Sequence, residues 1–121
     1  MTEKGYYKLF IWQKAHEFVI EIYKITKDFP SEEKYDLVSQ IRRSAKSIAT
    51  NIVEGQASGT RKMFLSYLYT ANASLVETEY HLELSHDLGY LTNEDYNYLD
   101  LKRQEVGKML NSLINSLKDK L

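Results

Sequence analysis

The residues best suited to chemistry are few. The chain carries His16, His81 and His86 and no cysteine. Without thiols there is no disulfide framework, Cys-ligated zinc, iron–sulfur cluster or thiol nucleophile. Glu83-Leu84-Ser85-His86 is a Glu-x-x-His, the helical spacing that di-iron bundles use twice. Such a site needs a second copy of the motif and two further inward carboxylates. The first helical segment offers only Gln13-x-x-His16. The motif therefore reads as a surface ion pair, or as a histidine near the negative end of a helix dipole. Serine, histidine and acid all occur, but there is no Gly-x-Ser-x-Gly, Walker sequence or dinucleotide fingerprint. No catalytic residue, metal or cofactor is expected.

Charge patterning is more informative. Between Gln40 and Lys62 stand Arg42, Arg43, Lys46, Arg61 and Lys62 against the single acid Glu54, a sum of +4. Between Glu77 and Asp100 stand seven acids and no Lys or Arg, a sum of −7. Arg61 and Lys62 fall in the first turn of a helix, where cations oppose the dipole and backbone amides are free. That turn suits a phosphate or carboxylate. The five bases are candidate nucleic-acid or anion contacts. They are equally suited to pairing one subunit's basic region with another's acidic region, or to plain surface solvation.

Gln40, Ser44, Ser47, Asn51 and Glu54 recur at helical spacing beside an apolar face. They read as a solvated flank or as a polar seam against another subunit, where buried amides and hydroxyls fix register. Ten tyrosines are more than one core uses. Tyr67 and Tyr69, two residues apart, cannot share a helix face, so one of them is available for a second packed surface. Tyrosine is enriched at protein interfaces.

Four helical patterns carry these residues. Phe10, Ile11, Ala15, Phe18, Val19, Ile22, Tyr23, Ile25 and Phe29 mark a first helix over about 9–28, before Pro30. Ser31 offers an N-cap to a turn with Glu32 and Glu33. Leu37, Ile41, Ala45, Ile48 and Ile52 mark a second helix over about 36–54, with Gly55 as its left-handed stop. Thr60 caps a third over 61–88, striped by Phe64, Leu68, Ala71, Leu75 and Leu82 and ending at Gly89. Thr92, followed by Glu94 and Asp95, opens a fourth over 93–118, striped by Tyr96, Leu99, Val106, Leu110, Leu113 and Leu117. Gly107 inside it implies close packing or local looseness. The expected fold is all-α, an antiparallel up-down-up-down four-helix bundle in one domain over 1–121.

With 121 residues, 43% of them hydrophobic and 27% charged, the composition fits one globular domain. A net charge of −1 excludes a uniformly basic nucleic-acid coat. Residues 1–10 are charged and carry no apolar run, unlike a secretory signal. No membrane span is visible, so a cytoplasmic protein is expected.

Several motifs together resemble one family. They are Tyr7-Lys8-Leu9, Trp12-Gln13-Lys14-Ala15, Phe29-Pro30, Gln40-Ile41-Arg42-Arg43-Ser44-Ala45 and Ser47-Ile48-Ala49-Thr50-Asn51-Ile52-Val53-Glu54-Gly55. Arg61-Lys62, Tyr67-Leu68, Ala73-Ser74-Leu75 and Gly89-Tyr90-Leu91 continue them. The sequence is similar to the bacterial four helix bundle family, also called the 23S rRNA intervening sequence protein family. It departs at Ala49, where proline is frequent, and at Asn72, where a base is frequent. The resemblance implies a bundle assembled into a ring-like homo-oligomer, a pentamer, with no catalytic site to carry over. The family is also similar to the accessory variability protein of diversity-generating retroelements, a basic pentamer that binds a reverse transcriptase and nucleic acid.

The expectation is thus a non-enzymatic, self-associating binding or scaffold protein without a small-molecule substrate. Gln40, Ser44, Ser47, Asn51, Glu54, Tyr67 and Tyr69 are its candidate subunit contacts. The alternative is an RNA- or DNA-binding module using Arg42, Arg43, Lys46, Arg61 and Lys62.

Overall fold

The computed structural model describes residues 5–121. Residues 1–4, part of the charged opening that argues against a secretory signal, lie outside it. Four helices dominate: α1 (Phe10–Thr26), α2 (Leu37–Ala57), α3 (Arg61–Asp87) and α4 (Asn93–Asp119). Single 3-10 turns at Gly5–Lys8 and Ser31–Glu33 precede α1 and α2, and no strand occurs among the described residues.

Each helix packs on its neighbours in the chain. α1 touches α2 and α4, α3 touches α2 and α4, and the diagonal pairs do not meet. Between α2 and α3 the pairs are Ser44 with Thr78 and Ser47 with Ser74. Between α3 and α4 they are Glu79 with Arg103 and Leu75 with Gly107. One number falls as the other rises, so both pairs run antiparallel. The core between them holds Phe18, Ile22, Ile41, Ile48, Ile52, Leu68, Leu82, Leu99 and Leu110, all essentially without solvent contact. Full burial of each such side chain contributes about 1.5–3 kcal/mol. Along α2 the buried Leu37, Ile41, Ala45, Ile48 and Ile52 recur at three- and four-residue steps, the period of a helix with one apolar face.

Side chains close two helix starts as the sequence indicates. Thr60 Oγ1 accepts from the Met63 amide at 3.1 Å, and Thr92 Oγ1 from the Asp95 amide at 3.0 Å. Gly89 takes φ of +83° after α3.

Three local expectations change. Gly55 does not end α2, which runs on to Ala57; the left-handed glycine is Gly59, at φ +95°. Gly55 is instead buried against α3, where an added Cβ would lie 2.8 Å from both Phe64 Cδ1 and Tyr67 Cβ. Ser31 caps nothing through its side chain, because the segment is one 3-10 turn that follows Pro30. Phe10 is not core: it is 71% exposed beside an apolar groove lined by Met109 and Leu113. Gly107 marks close packing, since its missing Cβ would sit 3.2 Å from Leu75 Cδ2.

Candidate functional site

The polar residues of α2 split between two environments. Ser44 is fully buried. Thr78 Oγ1 on α3 donates to Ser44 Oγ at 2.8 Å, and Ser44 Oγ donates to the Ile41 carbonyl at 3.1 Å. One turn on, Ser74 Oγ donates to Ser47 Oγ at 2.8 Å, and Asn51 Nδ2 donates to the Ser47 carbonyl at 2.8 Å. These groups form a seam inside the chain, between α2 and α3. Small side chains there let the two backbones approach, as Gly55 does at the far end. Gln40 and Glu54, from the same stripe, remain exposed.

At the edge of the seam lies a charged cluster. Arg43 donates to Gln40 Oε1 at 2.9 Å and pairs with Glu77 on α3. Glu77 also accepts from His81 Nε2 at 3.1 Å. The carboxylate fixes the tautomer, with the proton on Nε2. His81 Nδ1 is buried and has no hydrogen-bond partner. The other histidines face aromatic rings. His16 stacks on Trp12 at 4.8 Å, and His86 stacks on Tyr96 at 4.6 Å. Glu83 is exposed and His86 Nε2 contacts Asn93 Oδ1 at 2.6 Å. Among the described residues no three metal-ligating side chains gather.

The five candidate bases do not form one patch. Arg42, Arg43 and Lys46 lie near the start of α2, whereas Arg61 and Lys62 open α3 at the other end. The length of α2 separates them by roughly 20 Å at ~1.5 Å per residue. Arg42 is half-buried. Its Nε donates to Thr26 Oγ1 at 3.0 Å and one terminal nitrogen donates to the Tyr23 carbonyl at 3.3 Å. Its guanidinium lies 4.5 Å from the Tyr23 ring centroid. Lys46, Arg61 and Lys62 are exposed.

Arg42 also sits between two adjoining cavities of about 320 and 300 Å³ that share Lys34 and Val38. Lys27 and Ser31 line the first, and Tyr35 and Lys46 the second. Lys27 and Lys34 lie outside the basic run that the sequence displays. Only the turn between α1 and α2 folds them back beside Arg42.

A third feature is apolar. Tyr69, Val76 and Tyr80 are 48%, 56% and 58% exposed. With Ala73 they recur at steps of four, three and four, so they line one face of α3. Ser74 and Thr78 face α2, Leu75 faces α4, and this stripe points away from both. Tyr67 is half-buried on another face, beside Gly55.

The model of the 23S rRNA-intervening sequence protein family matches residues 7–112. The chain belongs to this family. Among solved structures it is similar to a Bacteroides thetaiotaomicron protein of the S23 ribosomal protein family, described as of unknown function. The two share 34% identity with a TM-score of 0.81, over 87% of this chain and 95% of that one. No curated protein matches. Family membership includes the whole seam and both basic clusters within the matched residues. No described helix is long and apolar enough to cross a membrane.

Proposed function

We propose that this family member is a non-enzymatic, self-associating scaffold or binding protein whose subunits meet through the outer face of α3. The observation that carries this reading is the stripe Tyr69, Ala73, Val76 and Tyr80, which no described helix covers. Exposed apolar patches of this kind mark interaction surfaces. Tyr69 joins the stripe to the contacts read from sequence. Glu54 is exposed to a second subunit, as is Gln40 although its Oε1 accepts from Arg43, whereas Ser44 is buried against Thr78. The segregation of charge, +4 over 40–62 and −7 over 77–100, supports contact between copies of the chain. A ring of five subunits is the assembly the family resemblance favours.

Light scattering tests this. The protein elutes as an oligomer at micromolar concentration, and Val76→Glu converts it to a monomer with unchanged helical circular dichroism. A monomeric parent protein overturns the reading.

A second reading, RNA or DNA binding through Arg42, Arg43, Lys46, Arg61 and Lys62, is supported by the exposure of Lys46, Arg61 and Lys62 without carboxylate partners among the described residues. It requires a gel shift with structured RNA at low salt that weakens steeply as salt rises. An absent shift removes it.

A further inference from the structure

Arg103 and Arg43 each pair with a carboxylate, Arg103 with Glu79 and Arg43 with Glu77. Among the described residues Arg42 has none, although it is less exposed than Arg43. Its guanidinium is held by a hydroxyl, a carbonyl and an aromatic face, all of them neutral. Two of its five N–H donors are used, and three remain. A half-buried cation without a counter-ion is costly unless an anion arrives from outside.

The surroundings fit such an anion. The two cavities that meet at Arg42 are lined by Lys27, Lys34 and Lys46 and by no acid. The acids of the same connection, Asp28, Glu32, Glu33 and Asp36, stand outside both, and Glu33 is occupied by the Tyr90 hydroxyl at 2.8 Å. The C-terminal end of α1 would by itself repel an anion. Arg42 offsets this by capping the Tyr23 carbonyl. Beside the cations Tyr35 presents a ring that is 87% exposed. Lys34 Nζ lies over it, 5.4 Å from the centroid. A cationic pocket next to an open aromatic ring suits a phosphate that carries a planar base.

We infer that the α1–α2 corner binds a phosphate group borne by a nucleotide, with Arg42 as the fixed donor, Lys27, Lys34 and Lys46 as the surrounding charge, and Tyr35 as the stacking ring. This deepens the nucleic-acid reading, moves its centre to Arg42 and leaves out Arg43, Arg61 and Lys62. The nucleotide is either free or one unit of a single strand, and both sources share the chemistry.

The test uses the full chain, isotopically labelled. Uridine monophosphate and inorganic phosphate are titrated while backbone amide shifts are followed. A fluorescein-labelled strand of about ten uridines is titrated by anisotropy. The expected shifts fall within residues 23–46, and uridine monophosphate binds more tightly than phosphate. Combined Lys27→Gln, Lys34→Gln and Lys46→Gln weakens every probe by about tenfold or more, as loss of three phosphate-facing charges requires. Tyr35→Ala weakens the nucleotide about fivefold and leaves phosphate unchanged. Arg61→Gln with Lys62→Gln changes nothing. These variants are exposed lysines, a tyrosine and an arginine outside the core, so folding is preserved; Arg42 itself is left intact because it ties α2 to α1.

Shifts absent from the corner, or a triple lysine variant that binds as the parent does, overturn the site. A strand bound through Arg61 and Lys62 with a silent corner keeps the broader nucleic-acid reading and overturns this one. Nucleotide bound at the corner without strand binding keeps the site and assigns it to a free nucleotide.

Discussion

Thr78 on α3 donates to Ser44 on α2 at 2.8 Å, and both residues are fully buried. The bond crosses from α2 to α3 inside the buried core. A buried polar pair favours one axial register of two helices, because a slip breaks the cross-helix bond and leaves each hydroxyl only a carbonyl of its own helix, Ile41 for Ser44 and Ser74 for Thr78. Thr78→Val keeps the shape and removes the donor to Ser44. We expect a loss of about 1–2 kcal/mol in urea unfolding. Ser44→Ala with Thr78→Val is expected to cost less than the two single changes together, since each single change already loses the one bond the two residues share. Strict additivity in that cycle would show the bond to be idle.

Two helical glycines predict opposite outcomes. Gly55→Ala places a methyl 2.8 Å from Phe64 Cδ1 and Tyr67 Cβ. The Tyr67 Cβ is fixed to the α3 backbone and cannot swing away. Overpacking of about 1–3 kcal/mol outweighs the helix-propensity gain of about 1 kcal/mol. Gly107→Ala meets only the end of the Leu75 side chain, at 3.2 Å, where α3 and α4 bound an open groove. There the propensity gain wins, and thermal unfolding should shift upward.

Asp100 sets an acid limit. Burial pushes its carboxyl up, but hydrogen bonds from Arg103 and Gln104 and the Arg103 charge outweigh this and hold it below the ordinary 3.8. A depressed folded-state value gives stability that is present above about pH 4 and lost as pH falls through the depressed range. Asp100→Asn should therefore lower stability at neutral pH and flatten the decline below pH 4. A parallel decline in both proteins would clear Asp100 of any part in it.

The cap at Thr92 is a cleaner measure of local helix stability. Its Oγ1 accepts from Asp95 in an exposed turn that packs little. Thr92→Ala should cost about 1 kcal/mol, and Thr92→Ser almost nothing. Amide exchange should quicken first at the start of α4.

Self-association through α3 gives a prediction of graded effect. Val76 is at the middle of the stripe and Tyr69 near one end. Val76→Glu should dissociate the oligomer fully, and Tyr69→Ser should only raise the dissociation constant, read as a concentration-dependent shift in sedimentation. Equal effects from an exposed change outside the stripe, such as Glu94→Lys, would point to another interface.

The four helices were legible because burial repeats with the helical period. Leu37, Ile41, Ala45, Ile48 and Ile52 are spaced for one face, and all five are buried. The caps at Thr60 and Thr92 were legible for a similar reason, since a cap depends on residues three apart in the same chain. The end of α2 was not. Glycine serves equally for a positive φ and for a missing Cβ, and only the position of Tyr67 across the helix pair shows that Gly55 does the second. Phe10 misled because it is apolar like the buried Ile11 beside it, while its own side chain projects about 100° further round the helix, onto the open groove beside Met109 and Leu113.

The same division runs through the candidate sites. Sequence alone determined the all-α class, the helix stripes and the segregation of charge, since each is a pattern along one strand of chain. Tertiary structure decided what each polar residue faces. It turned Ser44 and Ser47 toward Thr78 and Ser74, gave Arg43 to Glu77, set Arg61 and Lys62 a helix length away, and brought Lys27 and Lys34 to Arg42. The physical reason is that periodicity reports which side of a helix is apolar, while hydrogen bonds and ion pairs depend on the rotation and register of a second helix, which no local pattern encodes.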